Sequence, residues 1–151
     1  NLHKLRGGAV CKAEIVRGIG KALGMEVLAP KNATGDVDTD LFAKAEATLE
    51  LLQQYDFVVA HFNGTDEAAH RYDALEKVAF IERIDKEFLG TVLSAVQEPL
   101  KIVICGDHVT SSVTGKHDRG VVPVLAWSSE YATKKLENYQ DIIKFLMKEC
   151  D

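Results

Sequence analysis

The sequence predicts an α/β domain built on a mainly parallel sheet with helices on both faces. The first observation is that amphipathic helical segments alternate with short apolar segments along the chain. The second is that these apolar segments are continuous, which is typical of strands covered on both sides. The third is the length of 151 residues, enough for one domain with its own core, or for the larger part of one.

In the first third of the chain, residues 1–8 are polar and basic and are interpreted as a loop. Apolar residues at helical spacing then predict a helix from Ala13 to Leu23, which Gly24 ends. A short strand over Met25–Leu28 follows. The residues that could form one face of this helix are Ile15, Ile19, Ala22 and Leu23.

The middle of the chain predicts two longer helices around a buried strand. The acidic segment 36–40 leads into a helix from Asp40 to about Gln54 and suits the positive end of the helix dipole. Phe57–Phe62 is a continuous apolar strand. Asp73–Glu76 resembles a capping box, and it opens the longest helix, which ends before Pro99.

The last third predicts two more buried strands, Lys101–Cys105 and Val122–Trp127. A final helix is predicted over about Asn138–Lys148. Its packing residues are expected to be Ile142, Ile143, Phe145 and Leu146. Strands that alternate with helices in this way favour parallel pairing.

Composition argues against several classes of function. The formal net charge of −5 disfavours binding to a nucleic-acid backbone, which requires a basic face. The same charge is compatible with a small phosphorylated substrate, because metal ions supply local positive charge. No apolar stretch approaches the length of a membrane helix, so we expect no membrane partner.

Cysteine usage indicates a reducing compartment. The three cysteines, Cys11, Cys105 and Cys150, do not form a disulfide framework, so we expect a cytoplasmic location. Cys105 ends an apolar strand and is expected to be buried and inert. The sequence begins with Asn1 rather than Met, and we expect a further segment upstream of it.

Five aspartate and histidine residues form the candidate site. They are Asp66, His70, Asp107, His108 and His117, in the segments GTDEAAH, CGDHVTSS and GKHDRGVVPV. Asp66 and His70 form one pair and Asp107 and His108 a second, and each pair follows an apolar strand. Ligands of open α/β sheets bind beyond the carboxyl ends of the strands. His117 lies on a loop before the next strand, from which it can fold back over the same crevice.

Carboxylates and imidazoles in this arrangement predict a two-metal site for phosphoryl chemistry. Asp66 and His70 are four residues apart, so a single helical turn would point both in one direction. Asp107 and His108 are neighbours and would face two sides of a metal pair. This ligand set suits manganese or zinc, and magnesium less well. No organic cofactor is implied.

Each of these residues taken alone is more often structural, and only the ordered set is a strong signal. His61 lies inside a predicted strand and is expected to hydrogen-bond in the core or to support the ligands from behind. The sequence contains no convincing nucleophile. The hydroxyl groups nearest to the second pair are expected to bond loop backbone groups instead. They belong to Thr110, Ser111, Ser112 and Thr114.

Several stretches resemble the C-terminal part of the archaeal cofactor-independent phosphoglycerate mutases, which belong to the alkaline phosphatase superfamily. They are GGAVCKAEIVRGIGKALGMEVL, NATGDVDTD, GTDEAAH, VAFIERIDKEF, CGDH and KHDRGVVPV. The resemblance covers about residues 7–127. Its most specific pieces are DEAAH, the GDH turn and the KH…VPV segment, in that order and spacing.

The resemblance implies an alkaline phosphatase-like fold that is incomplete here, with residues 1–151 as its C-terminal metal-binding part. It implies that Asp66, His70 and His117 hold one divalent metal ion. Asp107 and His108 would hold a second. In the family, an aspartate and a serine nucleophile near the N-terminus complete the second metal, and nothing in this sequence matches them. The implied partners are phosphoglycerate and the missing N-terminal part of the same enzyme.

Three functions remain open on this basis. The first is the metal-binding part of a mutase that interconverts 2- and 3-phosphoglycerate in glycolysis and gluconeogenesis, inactive by itself. The second is another phosphoryl-transfer enzyme of the superfamily, such as a phosphatase, a phosphopentomutase or a homoserine kinase-like enzyme. The third is a metal-binding domain without catalysis.

Overall fold

The protein is described by a computed structural model over residues 5–130, 136 and 138–147. By its internal contacts the chain divides into two compact units, each described here by itself. The first unit spans Asn1–Ala95 and Thr110–Lys116, and the second spans Val96–Val109 and His117–Asp151.

A parallel sheet forms the centre of the first unit. Its strands are β1 (Gly7–Val10), β2 (Glu26–Leu28) and β3 (Phe57–Ala60), in the order β2-β1-β3. The helices are α1 (Glu14–Ala22), α2 (Leu41–Leu52), α3 (Gly64–His70), α4 (Ala74–Arg83), a π-helical segment (Ile84–Leu89) and α5 (Gly90–Ala95). The predicted α/β class with a parallel sheet is confirmed.

The prediction of a loop over residues 1–8 is wrong at its end, because Gly7 and Gly8 begin the central strand β1. All four residues of this strand are buried. A Cβ on Gly7 would lie 2.5 Å from Cζ of Phe57, and one on Gly8 would lie 3.0 Å from Cδ1 of Leu51. Glycine inside a strand often marks such a close approach. The two glycines therefore let neighbouring side chains pack directly on the backbone of β1.

Helices cover both faces of this sheet, as the sequence predicts. Successive strand residues face opposite sides of a sheet. Gly8 faces Leu51 of α2, whereas Ala9 lies beside Gly20 of α1. The buried residues of the core on the α2 side are Val10, Ala47 and Leu51.

The predicted apolar side of α1 is exposed rather than buried. Ile15 is 75% exposed and Leu23 is 72% exposed. The buried residue of α1 is Gly20, where a Cβ would lie 3.0 Å from Cγ2 of Val27. The spacing of the apolar residues predicts the helix correctly, but the apolar face that they form does not contact the sheet. A close contact through glycine carries no hydrophobic signal in the sequence.

The caps predicted for the two middle helices are present. Asp40 Oδ1 accepts a hydrogen bond from Ala43 N at 2.9 Å, and Asp73 Oδ1 accepts one from Glu76 N at 2.8 Å. The side chain of Glu76 binds Arg71 instead of completing a capping box. The long helix predicted after Asp73 consists of α4, the π-helical segment and α5.

The second unit contains strands β4 (Lys101–Cys105) and β7 (Val124–Ser128), which pair antiparallel with Cys105 opposite Val124. Parallel pairing therefore does not extend to these two strands, and both are partly exposed rather than buried on both faces. Helix α6 (Tyr139–Met147) packs against β4, where Lys101 Nζ donates to the carbonyl of Leu146 at 3.4 Å. The predicted helix end at Lys148 lies outside the described residues.

A short two-stranded sheet follows β4 and consists of β5 (Val109–Ser111) and β6 (Lys116–Asp118). Within it the chain passes from the second unit to the first and back again. The loop residues between the strands thus belong to the first unit, together with α3.

The two described cysteines differ in exposure, because Cys11 is buried and Cys105 is exposed. Cys105 is exposed, so its expected burial is wrong. Partial desolvation and, after it, the negative charge of Asp107 raise the pKa of its thiol. Cys150 lies outside the described residues.

Among the residues described, none of the helices combines the length and apolarity that a membrane crossing requires.

Candidate metal centre

Helix α3 carries the first pair of candidate ligands, and three residues separate it from the end of β3. The GTDEAAH segment is thus helical, which is the condition under which Asp66 and His70 were expected to face the same way. Gly64 opens the helix in very close contact with a neighbouring loop. A Cβ on Gly64 would lie 2.8 Å from the backbone nitrogen of Val37 and 2.6 Å from Cε1 of Phe80. Only glycine fits here without displacing backbone, so this residue brings α3 tightly onto the first unit.

Asp66 and His70 face each other across one turn of α3. The Nε2 atom of His70 lies 3.4 Å from Oδ2 of Asp66. Their spacing of four residues places both side chains on the same side of the helix. Asp66 is partly buried and His70 is exposed at this position. The pair therefore presents one carboxylate oxygen and one imidazole nitrogen to the same point.

The other ring nitrogen of His70 is fixed by a backbone carbonyl. Nδ1 of His70 lies 2.7 Å from the carbonyl oxygen of Gly115. Because a carbonyl oxygen only accepts, Nδ1 carries the hydrogen and donates it. In the neutral ring, the lone pair then resides on Nε2, the atom that faces Asp66. Histidines that bind metal ions are commonly oriented by such a bond on the far nitrogen.

Gly115 has a local reason to be glycine. Its φ of +63° lies in the left-handed region, which side chains other than glycine rarely adopt. A Cβ at this position would also lie 2.7 Å from Cζ of Tyr72. Tyr72 itself follows α3 with a φ of 62°. The end of α3 and the loop that orients His70 are therefore packed against each other.

Asp66 is oriented by a hydroxyl group from the same part of the chain as Gly115. Thr110 Oγ1 donates to Oδ1 of Asp66 at 2.5 Å, and Thr110 is buried. Lys77 of α4 holds this threonine, because its Nζ donates to the carbonyl of Thr110 at 2.8 Å. One carboxylate oxygen of Asp66 is thus engaged by Thr110 while the other faces His70. The expectation that Thr110 only bonds loop backbone groups is wrong.

The neighbouring hydroxyl behaves as expected. Oγ of Ser111 accepts hydrogen bonds from the backbone nitrogens of Val113 at 3.2 Å and Thr114 at 3.3 Å. Such contacts satisfy backbone groups of a tight turn. Ser111 therefore shapes the loop that carries Gly115, and its oxygen is already engaged by the backbone.

The far end of α3 is clamped by an arginine. Arg71 donates through Nη1 and Nη2 to the two carboxylate oxygens of Asp36, at 2.7 and 2.8 Å. Arg71 also donates to Glu76 at 2.6 Å. The guanidinium beside Asp36 lowers the pKa of that carboxyl group below its usual value. The predicted acidic segment 36–40 thus contributes an ion pair to α3 as well as the cap on α2.

The second group of candidate ligands lies in the second unit. Asp107 and His108 occupy the bend between β4 and β5. His117 lies on strand β6 rather than on the predicted loop, because residues 116–118 pair with β5. The rings of His108 and His117 have centroids 4.0 Å apart. His108 Nε2 lies 3.6 Å from Oδ2 of Asp107, and the Asp107 side chain is 80% exposed. Tyr139 fixes the bend, because its hydroxyl lies 2.9 Å from the carbonyl oxygen of Gly106.

The structure therefore brings the predicted ligands together in two groups. Asp66 lies with His70 in the first unit. Asp107 and His117 each lie beside His108 in the second. That all five share one site stays a prediction. Lys77, Thr110 and Gly115 are orienting residues that sequence reasoning missed, and the GTDEAAH spacing contains no signal for them.

The pair in the first unit fits a metal ion. Two ligands that are each about 2.1 Å from a tetrahedral ion lie about 3.4 Å from each other. The distance between His70 Nε2 and Asp66 Oδ2 is 3.4 Å. An imidazole nitrogen that carries its lone pair and a carboxylate oxygen are also ligand types that manganese and zinc accept. These two side chains are a candidate site for a divalent metal ion.

The structure gives an α/β protein with a candidate metal site, and comparison with known families gives the class. The profile of the metalloenzyme superfamily matches residues 1–145, and the chain belongs to this family. The solved structure of the PH0037 protein from Pyrococcus horikoshii is similar, with a TM-score of 0.82 and 36% sequence identity. The similarity covers 88% of this chain and 40% of that one.

Curated relatives give a narrower comparison. A 2,3-bisphosphoglycerate-independent phosphoglycerate mutase from Methanopyrus kandleri is 41% identical over 142 residues, covering 93% of this chain and 33% of the relative. The enzyme of the same name from Metallosphaera sedula is 41% identical over 82% of this chain and 30% of the relative. The chain thus spans about a third of the length of these relatives. The predicted resemblance to archaeal mutases is confirmed.

Proposed function

We propose that the chain is the metal-binding portion of a phosphoglycerate mutase that interconverts 2- and 3-phosphoglycerate. The observation that carries the proposal is the Asp66–His70 pair, preset on α3 at the spacing of metal ligands. The identity of about 40% to archaeal mutases supports the choice of reaction. Phosphoglycerate is a small anion, so the net charge of −5 does not oppose its binding at a metal centre.

The proposal assigns the ligands to two ions. Asp66, His70 and His117 would hold one divalent metal, and Asp107 and His108 would contribute to a second. Bound metal ions would supply neutralisation of the charge on a phosphoryl group and activation of a nucleophile. Manganese and zinc both suit these donors. The serine nucleophile that the family resemblance implies matches nothing in this sequence, so the proposed reaction requires a further part of the enzyme.

The residues of this chain then have orienting roles in the first unit. The carbonyl oxygen of Gly115 accepts a hydrogen bond from Nδ1 of His70, so that in the neutral ring Nε2 carries the lone pair that would bind the metal. Thr110 holds one oxygen of Asp66 in place through its hydroxyl group. Neither ligand has to reorganise when a cation binds, and this preset arrangement favours affinity.

A chimaera tests the proposal. This chain replaces the matched third of the Methanopyrus kandleri mutase, and the purified protein is assayed with 3-phosphoglycerate and Mn²⁺. We expect metal-dependent formation of 2-phosphoglycerate. The matched control is the same chimaera with Asp66→Ala, which should lose that activity. A folded chimaera that releases phosphate, or is inert while it binds Mn²⁺, would contradict the proposed reaction.

The chain alone provides a second measurement. Calorimetric titration of the metal-free 151-residue chain with Mn²⁺ or Zn²⁺ should show about one site of modest affinity, since three protein ligands suffice for one open site. The same protein should not isomerise 3-phosphoglycerate, because a covalent transfer needs a nucleophile. Clear isomerisation by the chain alone would redirect attention to Thr110, Ser111 and Ser112.

A further inference from the structure

Lys44 is a charged residue in the interior of the first unit. It lies on α2, and only 1% of its surface is exposed, the lowest value for any charged residue among those described. Lysine is almost never fully buried, because removing an ammonium group from water is costly. Its burial lowers the pKa of Lys44 to about 8. An apolar residue of the same length would serve a helix core better, so the position calls for a specific explanation.

The contacts of the ammonium group lead to the segment before α3. Nζ of Lys44 donates to the carbonyl oxygen of His61 at 2.9 Å. The same atom lies 4.8 Å from the ring centroid of Phe62, a distance at which a cation and an aromatic face attract each other. Phe62 in turn packs edge-on against Phe88 of the π-helical segment. Lys44 therefore holds two consecutive residues that connect β3 to α3.

The same segment also continues the pairing of β3 with β1. The backbone nitrogen of His61 donates to the carbonyl of Val10, which extends the pairing of β3 with β1 by one residue. After Asn63 the chain enters α3 and reaches Asp66. In the connection between β3 and α3, the carbonyl of Val10 binds the backbone nitrogen of His61, and the ammonium of Lys44 binds the carbonyl oxygen of His61. Lys44 thus holds the start of the connection to α3, while Gly64 and Arg71 fasten the helix itself.

We propose that Lys44 is a positioning residue for the metal ligands: its ammonium anchors the His61–Phe62 turn and so sets where α3 presents Asp66 and His70. This rests on the proposed function, because it assumes that the pair binds a cation. Positions where a protein breaks a local rule, such as a buried charge, are commonly functional. A purely structural lysine would affect stability, whereas a positioning lysine affects the affinity of a site it does not touch.

The experiment compares Lys44→Met with Lys21→Met. Methionine keeps the length of the side chain and removes the charge and the donor. Lys21 is an exposed lysine on α1 and is the matched control. Mn²⁺ titration calorimetry measures the dissociation constant of each metal-free protein. Amide hydrogen exchange, measured without metal, reports on Asp66 and Glu67, whose nitrogens bond to the carbonyl of Asn63.

We expect Lys44→Met to fold and to bind Mn²⁺ about tenfold more weakly, the scale seen when residues that orient ligands are lost. Exchange at Asp66 and Glu67 should become faster, while Lys21→Met should match the wild type in both measurements. Unchanged affinity, or unchanged exchange, would overturn the proposal. Wild-type protein that binds no Mn²⁺ would refute the proposed function, and the exchange data would still decide whether Lys44 anchors α3. If Lys44→Met and Lys44→Gln both fail to fold, Lys44 serves the fold and the proposal is wrong.

Discussion

Nε2 of His70 lies 3.4 Å from Oδ2 of Asp66, with the opposite nitrogen of the ring donating to the carbonyl of Gly115. The separation of the two donor atoms matches that of neighbouring ligands around a tetrahedral ion. The orientation of these two side chains does not come from the helix alone. Thr110 binds the other carboxylate oxygen of Asp66, and the carbonyl of Gly115 binds the other ring nitrogen of His70. The ligands and the residues that orient them can therefore be changed separately.

Asp66→Ala should weaken binding of Mn²⁺ at least about tenfold, because it removes one donor of the candidate site. Titration calorimetry of the metal-free chain measures the change. His61→Gln is the comparison, since the described contacts of His61 with Val10 and Lys44 use its backbone atoms. It should lose less affinity than Asp66→Ala. Equal losses would make His61 a ligand, and full affinity of Asp66→Ala would remove Asp66 from the site.

Thr110→Val should weaken Mn²⁺ binding about tenfold without unfolding the chain, because the hydroxyl that holds Oδ1 of Asp66 is lost. Valine keeps the shape of threonine, so packing of this buried side chain is preserved. Thr91→Val is the matched control: its hydroxyl bonds the carbonyl of Glu87 within one helix. Circular dichroism checks the fold of both variants. Equal affinity of Thr110→Val and the wild type would show that Asp66 needs no such support.

Gly64→Ala should destabilise the chain by about 1–3 kcal/mol, the usual cost of forcing extra atoms into a packed site. The added methyl group would lie 2.8 Å from Val37 N and 2.9 Å from the carbonyl carbon of Asp36, and backbone atoms cannot simply rotate away. Gly18→Ala on α1 is the opposite case, because among the described residues the new Cβ would meet nothing within 4 Å beyond its chain neighbours and its own helix backbone. It should stabilise the helix by about 0.5–1 kcal/mol. Urea denaturation compares the unfolding free energies of the two variants, and equal changes would contradict the close contact of Gly64 with residues 36 and 37.

The stability of the chain should depend on pH through Lys44, whose pKa is lowered to about 8 in the folded state from 10.5. Between these values the unfolded state binds more protons than the folded one, so this group makes the unfolding free energy rise with pH. Below pH 8 both states are protonated and the contribution is constant.

Urea denaturation of the wild type and Lys44→Met at about pH 7 and about pH 10 measures this contribution, since the variant lacks the titrating group. The difference in unfolding free energy between the two proteins should move in favour of the wild type as the pH rises. A constant difference would show that burial does not lower the pKa of Lys44.

Much of the local structure follows from the sequence for physical reasons that act over a few residues. The caps at Asp40 and Asp73 depend on side chains that reach a backbone nitrogen three residues on. The helical GTDEAAH segment places Asp66 and His70 together because one turn spans their spacing. The parallel sheet is predicted because helices separate its apolar strands.

The errors have a common cause, which is packing between distant segments. The glycines of β1 resemble loop residues, and they are buried because Phe57 and Leu51 occupy the space that side chains would take. The same effect turns Gly20 of α1 towards the sheet and leaves Ile15 exposed. Neither outcome can be read from hydrophobic spacing, since it depends on the shape of a partner.

The sequence by itself determined the family, the α/β class, the order of most helices and strands, and the types of donor atom that the candidate site offers. Only the tertiary structure decided how those donors are held. Thr110 reaches Asp66 across 44 residues of chain, and Gly115 reaches His70 across 45. Lys44 reaches His61 across 17. Spacing within a helix is a local property of the backbone, whereas these partnerships exist only after distant segments have packed together.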